Sequence, residues 1–202
     1  MATATTPAQI CNVALLRAGS KAFIASLTEA SIESQICAKL YDMARDAVLA
    51  ERPWRFATKT ETLALTPLVH PLWAFVYDAP SDCIPDGSRH IMGATRNPGR
   101  NEQIPLATQD APTYGLVLLT NQENAVLIYT ARVEEVKFSP LFVDALAWKL
   151  APDIAMGLSV KPAVGVKFLD EYRIALDKAF AADLASNVED VHPEASHVRA
   201  RG

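Results

Sequence analysis

Apolar residues recur at helical spacing toward both ends of this chain and alternate with polar ones in its middle. Thr6-Pro7-Ala8-Gln9 places a capping hydroxyl at Thr6, proline at the first helical position and glutamine three residues after the cap. Ile10, Val13, Ala14 and Leu16 supply the predicted apolar face, and Gly19 ends the helix. Phe23, Ile24 and Leu27 are expected packing contacts in the connection that follows. Ser31 then caps a longer helix, with Glu33 in its positive first turn. Ile32, Ile36, Leu40, Met43 and Ala47 form its predicted main stripe, flanked by Cys37, Tyr41, Ala44 and Val48. A stripe this wide calls for a neighbour on each side.

Pro53 stops that helix, because the residue before a proline avoids the α region. From Trp54 the period changes to two. Trp54, Phe56, Thr58, Thr60 and Thr62 read as one side of an extended chain, continued by Leu63 and Leu65, with Arg55, Ala57, Lys59 and Glu61 opposite. Further strands are predicted over 72–79, 102–108, 115–120 and 125–133, with Thr120-Asn121-Gln122-Glu123-Asn124 as a hairpin turn between the last two. Residues 85–101, rich in Gly, Pro, Asn and Arg, read mostly as an exposed loop.

Helix returns at Ser139-Pro140, a cap followed by a first-turn proline. Leu141, Phe142, Ala145, Leu146, Trp148 and Leu150 are expected to point inward, and Pro152 to kink the helix. A last helix is predicted over 161–186, with Phe168, Leu169, Tyr172, Leu176, Ala179 and Phe180 at helical spacing. The remainder, 187–202, has little apolar content and no period, and reads as a tail available to a partner. The expected fold is therefore α+β: an antiparallel bundle of about four helices with an inserted β-rich lobe and an extended C-terminal tail. The bundle would use 1–53 and 134–186, and the lobe 54–133. Pro53, Trp54 and Phe56 would form the junction between the two.

Composition narrows the function. With 202 residues, half of them hydrophobic, the chain can bury one substantial core. A net charge of −4 carries no signature of tight DNA binding. No apolar run approaches the roughly 20 residues that cross a bilayer, so no membrane partner is expected. The start, "MATATTPAQ", lacks the pattern of a signal peptide. Cys11, Cys37 and Cys83 are odd in number and widely spaced, which fits a reducing cytoplasm and, for Cys11 and Cys37, burial as small hydrophobes.

Candidate chemistry is sparse. There is no GxSxG elbow, no glycine-rich phosphate loop and no HExxH, and His70, His90, His192 and His197 have no partner at ligand spacing. Glu134 and Glu135 adjoin, so on a strand they would face opposite ways and make a poor acid–base pair. No catalytic residue, metal or cofactor is expected. Arg89, Arg96 and Arg100, with His90, make the 85–101 loop locally positive, suited either to solvent or to an acidic protein surface or passing phosphate backbone.

Several motifs nonetheless fall in an informative order. Asn12, Ala14, Leu15 and Gly19 form an Asn-x-Ala-Leu-x-x-x-Gly helix, and Tyr41, Asp42, Arg45 and Asp46 a Tyr-Asp-x-x-Arg-Asp helix leading into Pro53-Trp54-x-Phe56-Ala57. "YDAPSDCI" (77–84) supplies Tyr-x-x-Pro-x-Asp-Cys, and "LFVDALAWKLAPDIA" a returning helix in which Pro152 is a departure. To about residue 186 the chain resembles the head-to-tail adaptor proteins of tailed bacteriophages, the tail tubular protein A group. The resemblance implies a structural virion protein rather than an enzyme, made in the host bacterial cytoplasm and placed at the portal vertex. It implies a homo-oligomeric ring of about twelve copies, closed head to tail, beneath the portal protein and around the DNA channel. Below it would dock the next tail component, whether nozzle, stopper or tail tube, with genomic DNA only in non-specific proximity. The portal-binding tail would use Val191, His192, His197, Val198, Arg199 and Arg201, and the tail component or channel would meet Arg89, His90, Arg96 and Arg100. The alternatives are a cell-wall-directed hydrolase and a β-lobe protein-binding module unrelated to virions.

Overall fold

The computed structural model describes residues 5–93, 103–158 and 165–186. Among them the chain is mixed α+β, with four helices and two small antiparallel sheets of three strands each. Helix α1 (Pro7–Arg17) begins as its sequence predicts. The Thr6 hydroxyl accepts from the Gln9 N–H at 3.3 Å, and the Gln9 side chain accepts from the Thr6 N–H at 3.0 Å, closing a capping box. At the other end Gly19 takes a φ of +89°. That left-handed residue lets the Ser20 N–H reach the Leu15 carbonyl at 3.0 Å and the Gly19 N–H reach that of Leu16 at 3.1 Å, a Schellman closure. The buried face is Ala8, Ile10, Cys11, Ala14 and Leu15, so the predicted face is turned by one position and Leu16 stands exposed. Of the predicted contacts beyond it, Ile24 is buried and Phe23 is not.

Helix α2 (Ile32–Glu51) is capped by Ser31, whose hydroxyl accepts from the Ser34 N–H at 3.3 Å. Here the predicted stripe needs correction. The core takes Cys37, Tyr41, Ala44, Val48 and Leu49, while Ile32 is 67% and Met43 64% exposed. Ile36 and Leu40 pack only partly against the core. The small residues Cys37 and Ala44 allow a neighbouring backbone to come close, which explains why their face is inside although the larger aliphatics are not. Arg52 closes the helix in extended geometry, φ −143° and ψ 150°, as a residue before proline must.

Helix α3 (Pro140–Gly157) touches α1, α2 and the last helix, α4 (Gly165–Ala185). Its cap is again as predicted, the Ser139 hydroxyl accepting from the Phe142 N–H at 3.2 Å. A helix in contact with three others should be apolar nearly all round. Phe142, Ala145, Leu146, Ala147, Leu150, Ala151, Ile154 and Ala155 are buried accordingly, whereas the expected Leu141 is exposed and Trp148 only half-buried. The helix continues through Pro152. On α4, Phe168, Tyr172, Ala175, Leu176 and Ala179 are buried and the expected Leu169 is exposed.

The middle of the chain departs most from its alternating pattern. Arg55–Ala57 forms a 3-10 turn rather than strand, and β1 (Thr58–Thr62) follows with all five residues exposed. Ala57, expected outside, is buried together with Trp54. The aromatic lead therefore belongs to a turn that inserts side chains into the core, and the alternation of Thr58–Thr62 describes no buried face. Next come β2 (Phe75–Asp78), β3 (Arg89–Ile91), β4 (Ala107–Ala111), β5 (Gly115–Thr120) and β6 (Val126–Thr130). One sheet has the order β1-β6-β3 and the other β2-β5-β4.

Those orders overturn the predicted hairpin at 120–124. β5 and β6 lie in different sheets, so that turn carries the chain from one sheet to the other. Asn124 does adopt the left-handed conformation, φ +51°. The hairpin that forms is β4–β5, in which Ala111 faces Gly115 in register and Gly115 takes φ +71°, a left-handed conformation that glycine adopts without steric cost. β3 replaces part of the expected exposed loop, and β4 lies later than the strand predicted over 102–108.

One apolar core runs through α1–α4 and into both sheets, taking Leu127 and Tyr129 from β6, Leu118 from β5 and Tyr77 from β2. The opposite faces of β2 and β5 present Val76, Val117 and Leu119, which form a second, small cluster with Trp73, Ala107 and Ala111 packed against it. Two-sided burial of this kind is what a period-two backbone gives when both faces of a sheet are covered.

Candidate functional site

Charged residues concentrate where α2 meets the exit of β6. Arg132 holds Asp46 by two nitrogens, Nε at 3.1 Å and Nη2 at 2.6 Å from the same carboxylate oxygen, Oδ2. Arg45 bonds the other oxygen of Asp46 at 3.0 Å and also pairs with Asp42 at 2.9 Å. Tyr41 donates to Glu135 at 3.0 Å. Glu135 lies in a 3-10 turn, Glu135–Lys137, beyond the end of β6, so it and Glu134 are not strand neighbours as the sequence suggests. Burial opposes ionisation of Asp46, but the guanidinium groups of Arg132 and Arg45 outweigh it and hold its carboxyl below the ordinary value. The Asp46 pairing lifts the Arg132 value further above its already high one.

A second cluster brings two carboxylates together. The Tyr129 hydroxyl lies 3.0 Å from Glu61 Oε2 and 2.8 Å from Asp82 Oδ1. One phenol proton cannot satisfy both, and the Lys59 ammonium, bonded to Asp82, supplies the balancing charge. Burial pushes the Asp82 value up, but Lys59 and the phenol prevail and it lies below the ordinary carboxyl range. The general acid of a two-carboxylate hydrolase requires the opposite shift. A small cavity of about 50 Å³ beside Tyr129 is lined by Pro53, Thr58, Ser88, His90, Ile128 and Thr130, with neither carboxylate on its wall.

The junction residues sit as follows. Trp54 is fully buried and donates its indole N–H to the Val48 carbonyl at 2.9 Å. Its ring meets Phe142 of α3 and Phe180 of α4 edge-on, at 4.9 and 5.8 Å between centroids. Phe56 lies 5.0 Å from Phe142 and 5.9 Å from Phe138. Pro53 ends α2 and borders the small cavity. Of the predicted basic loop, Arg89 and His90 belong to β3, where His90 is exposed and Arg89 is half-buried, its Nη1 enclosed and without a hydrogen-bond partner among the described residues. Arg96 and Arg100 lie outside the described residues, as do Val191, His192, His197, Val198, Arg199 and Arg201.

Sequence reasoning missed the surfaces that stand out here. Leu65, Val69 and Leu72, in the segment before β2, are 62%, 95% and 80% exposed. Ile32 and Met43 protrude from α2, and Met156 from the end of α3, where Gly157 lies against Ile36. Between α3 and α4 is an open cavity of about 270 Å³, lined by Trp148, Pro152, Phe168, Leu169 and Tyr172, with Lys149 and Asp153 at its rim. A second groove of about 220 Å³ runs beside Leu68, Val69 and His70 along β4 and β5. The clustering of Pro67 and Pro71 around Leu68–His70 is the sequence signal for an exposed, stiff segment.

Among the described residues there is no group of three or more His, Cys, Asp or Glu side chains placed to hold a metal ion. No described helix is long and apolar enough to cross a membrane. A scan against protein-family models finds no match to this chain, and a search of curated proteins finds none either.

Proposed function

We propose that this chain is a head-to-tail adaptor, a structural ring subunit that joins a phage portal to the next tail component around the DNA channel. In this reading 1–53 and 134–186 act as an antiparallel helical bundle that packs between neighbouring copies, 54–133 as an inserted β-rich lobe, and 187–202 as the segment that orders on the portal. The observation that carries it is the exposure of large aliphatic side chains on two different elements, Ile32 and Met43 on α2, and Leu65, Val69 and Leu72 before β2. A closed ring needs two different faces that meet head to tail, and solitary proteins rarely expose large aliphatic groups in clusters. The ordered resemblance running from Asn12 to the helix at 141–155 supports the same reading. The mild net charge of −4 suits a conduit that does not grip DNA. The test is co-sedimentation of the purified full chain with portal rings. Saturable co-pelleting at a fixed stoichiometry is expected, and a chain left wholly in the supernatant would refute the proposal.

A second reading has one specific observation in its favour, the convergence of Glu61 and Asp82 on the Tyr129 hydroxyl. It assigns a two-carboxylate hydrolase acting on cell-wall glycan. Clearing of a peptidoglycan suspension by the native chain, abolished by Glu61→Gln, would support it. The adaptor reading expects no clearing at all.

A further inference from the structure

We propose that the segment Pro67–Leu72 of one copy docks into the α3–α4 cavity of the next copy, giving the ring reading above its lateral contact. Val69 and Leu72 are the large hydrophobic side chains that stand furthest into solvent among the described residues, at 95% and 80% exposure. Pro67 and Pro71 restrict the backbone on either side of Val69, so little conformational freedom remains to be lost on docking. A knob of this kind needs a hole.

The cavity between α3 and α4 has the matching properties. Its volume is about 270 Å³, and its walls are the rings of Trp148, Phe168 and Tyr172 with Pro152 and Leu169. An apolar cavity of ~150 Å³ already accepts a benzene ring, so there is room for a leucine side chain and part of a valine. Leu169, on its wall, is itself half exposed at 49% and would be covered by an occupant.

Polar complementarity selects this occupant over a purely aliphatic one. The Leu72 N–H donates to His70 Nδ1 at 3.2 Å, which leaves Nε2 as the ring nitrogen that carries a hydrogen. The knob therefore brings one N–H donor between its two aliphatic groups. The cavity offers an acceptor. The acceptor is the carboxylate of Asp153, an exposed residue on the cavity's lining. The guanidinium of Arg17 lies 4.2 Å from the centroid of the Trp148 ring, which holds the indole in place from the α1 side.

Because the knob and the cavity are different surfaces of the same chain, their union is heterologous and repeats from copy to copy. Disulfide trapping tests it directly, since Cys11, Cys37 and Cys83 are all buried and give little background. Val69→Cys and Leu169→Cys chains are mixed at high concentration in a glutathione buffer, where two protein thiols and one oxidised glutathione exchange to give the protein disulfide and two reduced glutathiones. The mixed dimer is expected in several-fold excess over either variant paired with itself. A mixed dimer no more than twice as abundant as either self-paired dimer, the ratio that random pairing of equal amounts gives, overturns the inference. Leu72→Asp and Leu169→Asp, both at exposed positions, should each weaken self-association in sedimentation velocity without changing the circular dichroism spectrum. If trapping fails while the native chain still pellets with portal rings, this docking mode is wrong and the adaptor reading stands.

Discussion

The indole of Trp54 meets the ring of Phe142 edge-on, at 4.9 Å between centroids and 88° between planes. The contact joins the turn that leaves α2 to the first turn of α3, residues far apart in the chain. Trp54 also touches Phe180 of α4 and bonds the Val48 carbonyl, so a single side chain closes α2, α3 and α4 on each other. Trp54→Ala should cost about 3–5 kcal/mol, the range for emptying a large aromatic site. Trp54→Phe removes the buried donor and leaves part of the ring contacts, so it should cost less, about 1–3 kcal/mol. Urea unfolding of the three chains measures both differences. Equal losses in the two variants would mean that the edge-on packing contributes little.

The Asp46–Arg132 pair should make stability depend on acid. The Asp46 carboxyl is held low in the folded chain. Its contribution is thus complete above the ordinary carboxylate value of about 4 and is lost as pH falls through the depressed one. Arg132 is 40% exposed, so the coupling should be modest, about 1 kcal/mol in a double-mutant cycle of Asp46→Asn with Arg132→Gln. The Asp46→Asn chain should also show a flatter fall in stability as pH drops below about 4. Denaturant melts at several pH values supply the comparison.

At the alkaline end the tyrosines decide. Tyr41, Tyr129 and Tyr172 are buried and each hydroxyl lies beside a carboxylate, at Glu135, at Glu61 with Asp82, and at Glu51. Burial first, then these neighbours, raise all three values above the ordinary one. The stability they contribute is present below about pH 10, the unfolded value, and is lost as pH rises toward the raised ones. Phenolate absorbance followed in an alkaline titration should therefore rise cooperatively with loss of helix. Early, independent ionisation of Tyr129 in the folded chain would contradict the geometry described at Glu61 and Asp82. Tyr129→Phe should shift the alkaline transition upward relative to its own neutral stability.

Local signals were legible and partner choice was not. Thr6, Ser31 and Ser139 act through their own neighbouring N–H groups, so each helix start could be read from four residues. The face of α2 could not, because Ile36 and Cys37 begin two apolar rows one position apart. Only the close approach of other helices selects the row with the smaller residues. The turn at 120–124 shows the same division. Asn124 adopts the left-handed backbone its side chain tolerates, but which strand β5 then joins depends on contacts distant in sequence. β3 offers a single apolar residue, Ile91, and β4 is exposed over Thr108–Asp110, so neither carries a period to detect. For the candidate site, Glu61 and Asp82 are 21 positions apart and meet only through the pairing of β1 with β6 and the separate bridge of Cys83 to Ala131.

Deleting 187–202 should leave the fold intact, since that stretch carries little apolar content and no period from which to build core packing. Circular dichroism and the urea midpoint of the truncated chain should match those of the full chain. Binding to portal rings should weaken, because a segment poor in apolar residues gains its contacts only on a partner. Unchanged affinity would remove the portal role from Val191, His192, His197, Val198, Arg199 and Arg201.

The central claim is that this chain acts by the shape of its surfaces, assembled copy beside copy at a capsid vertex. Negative-stain electron microscopy of the full chain mixed with portal rings tests it most directly. A second ring stacked coaxially beneath the portal, with the portal alone as control, is the predicted image. Portal rings indistinguishable from the control, beside dispersed single molecules, would contradict the account.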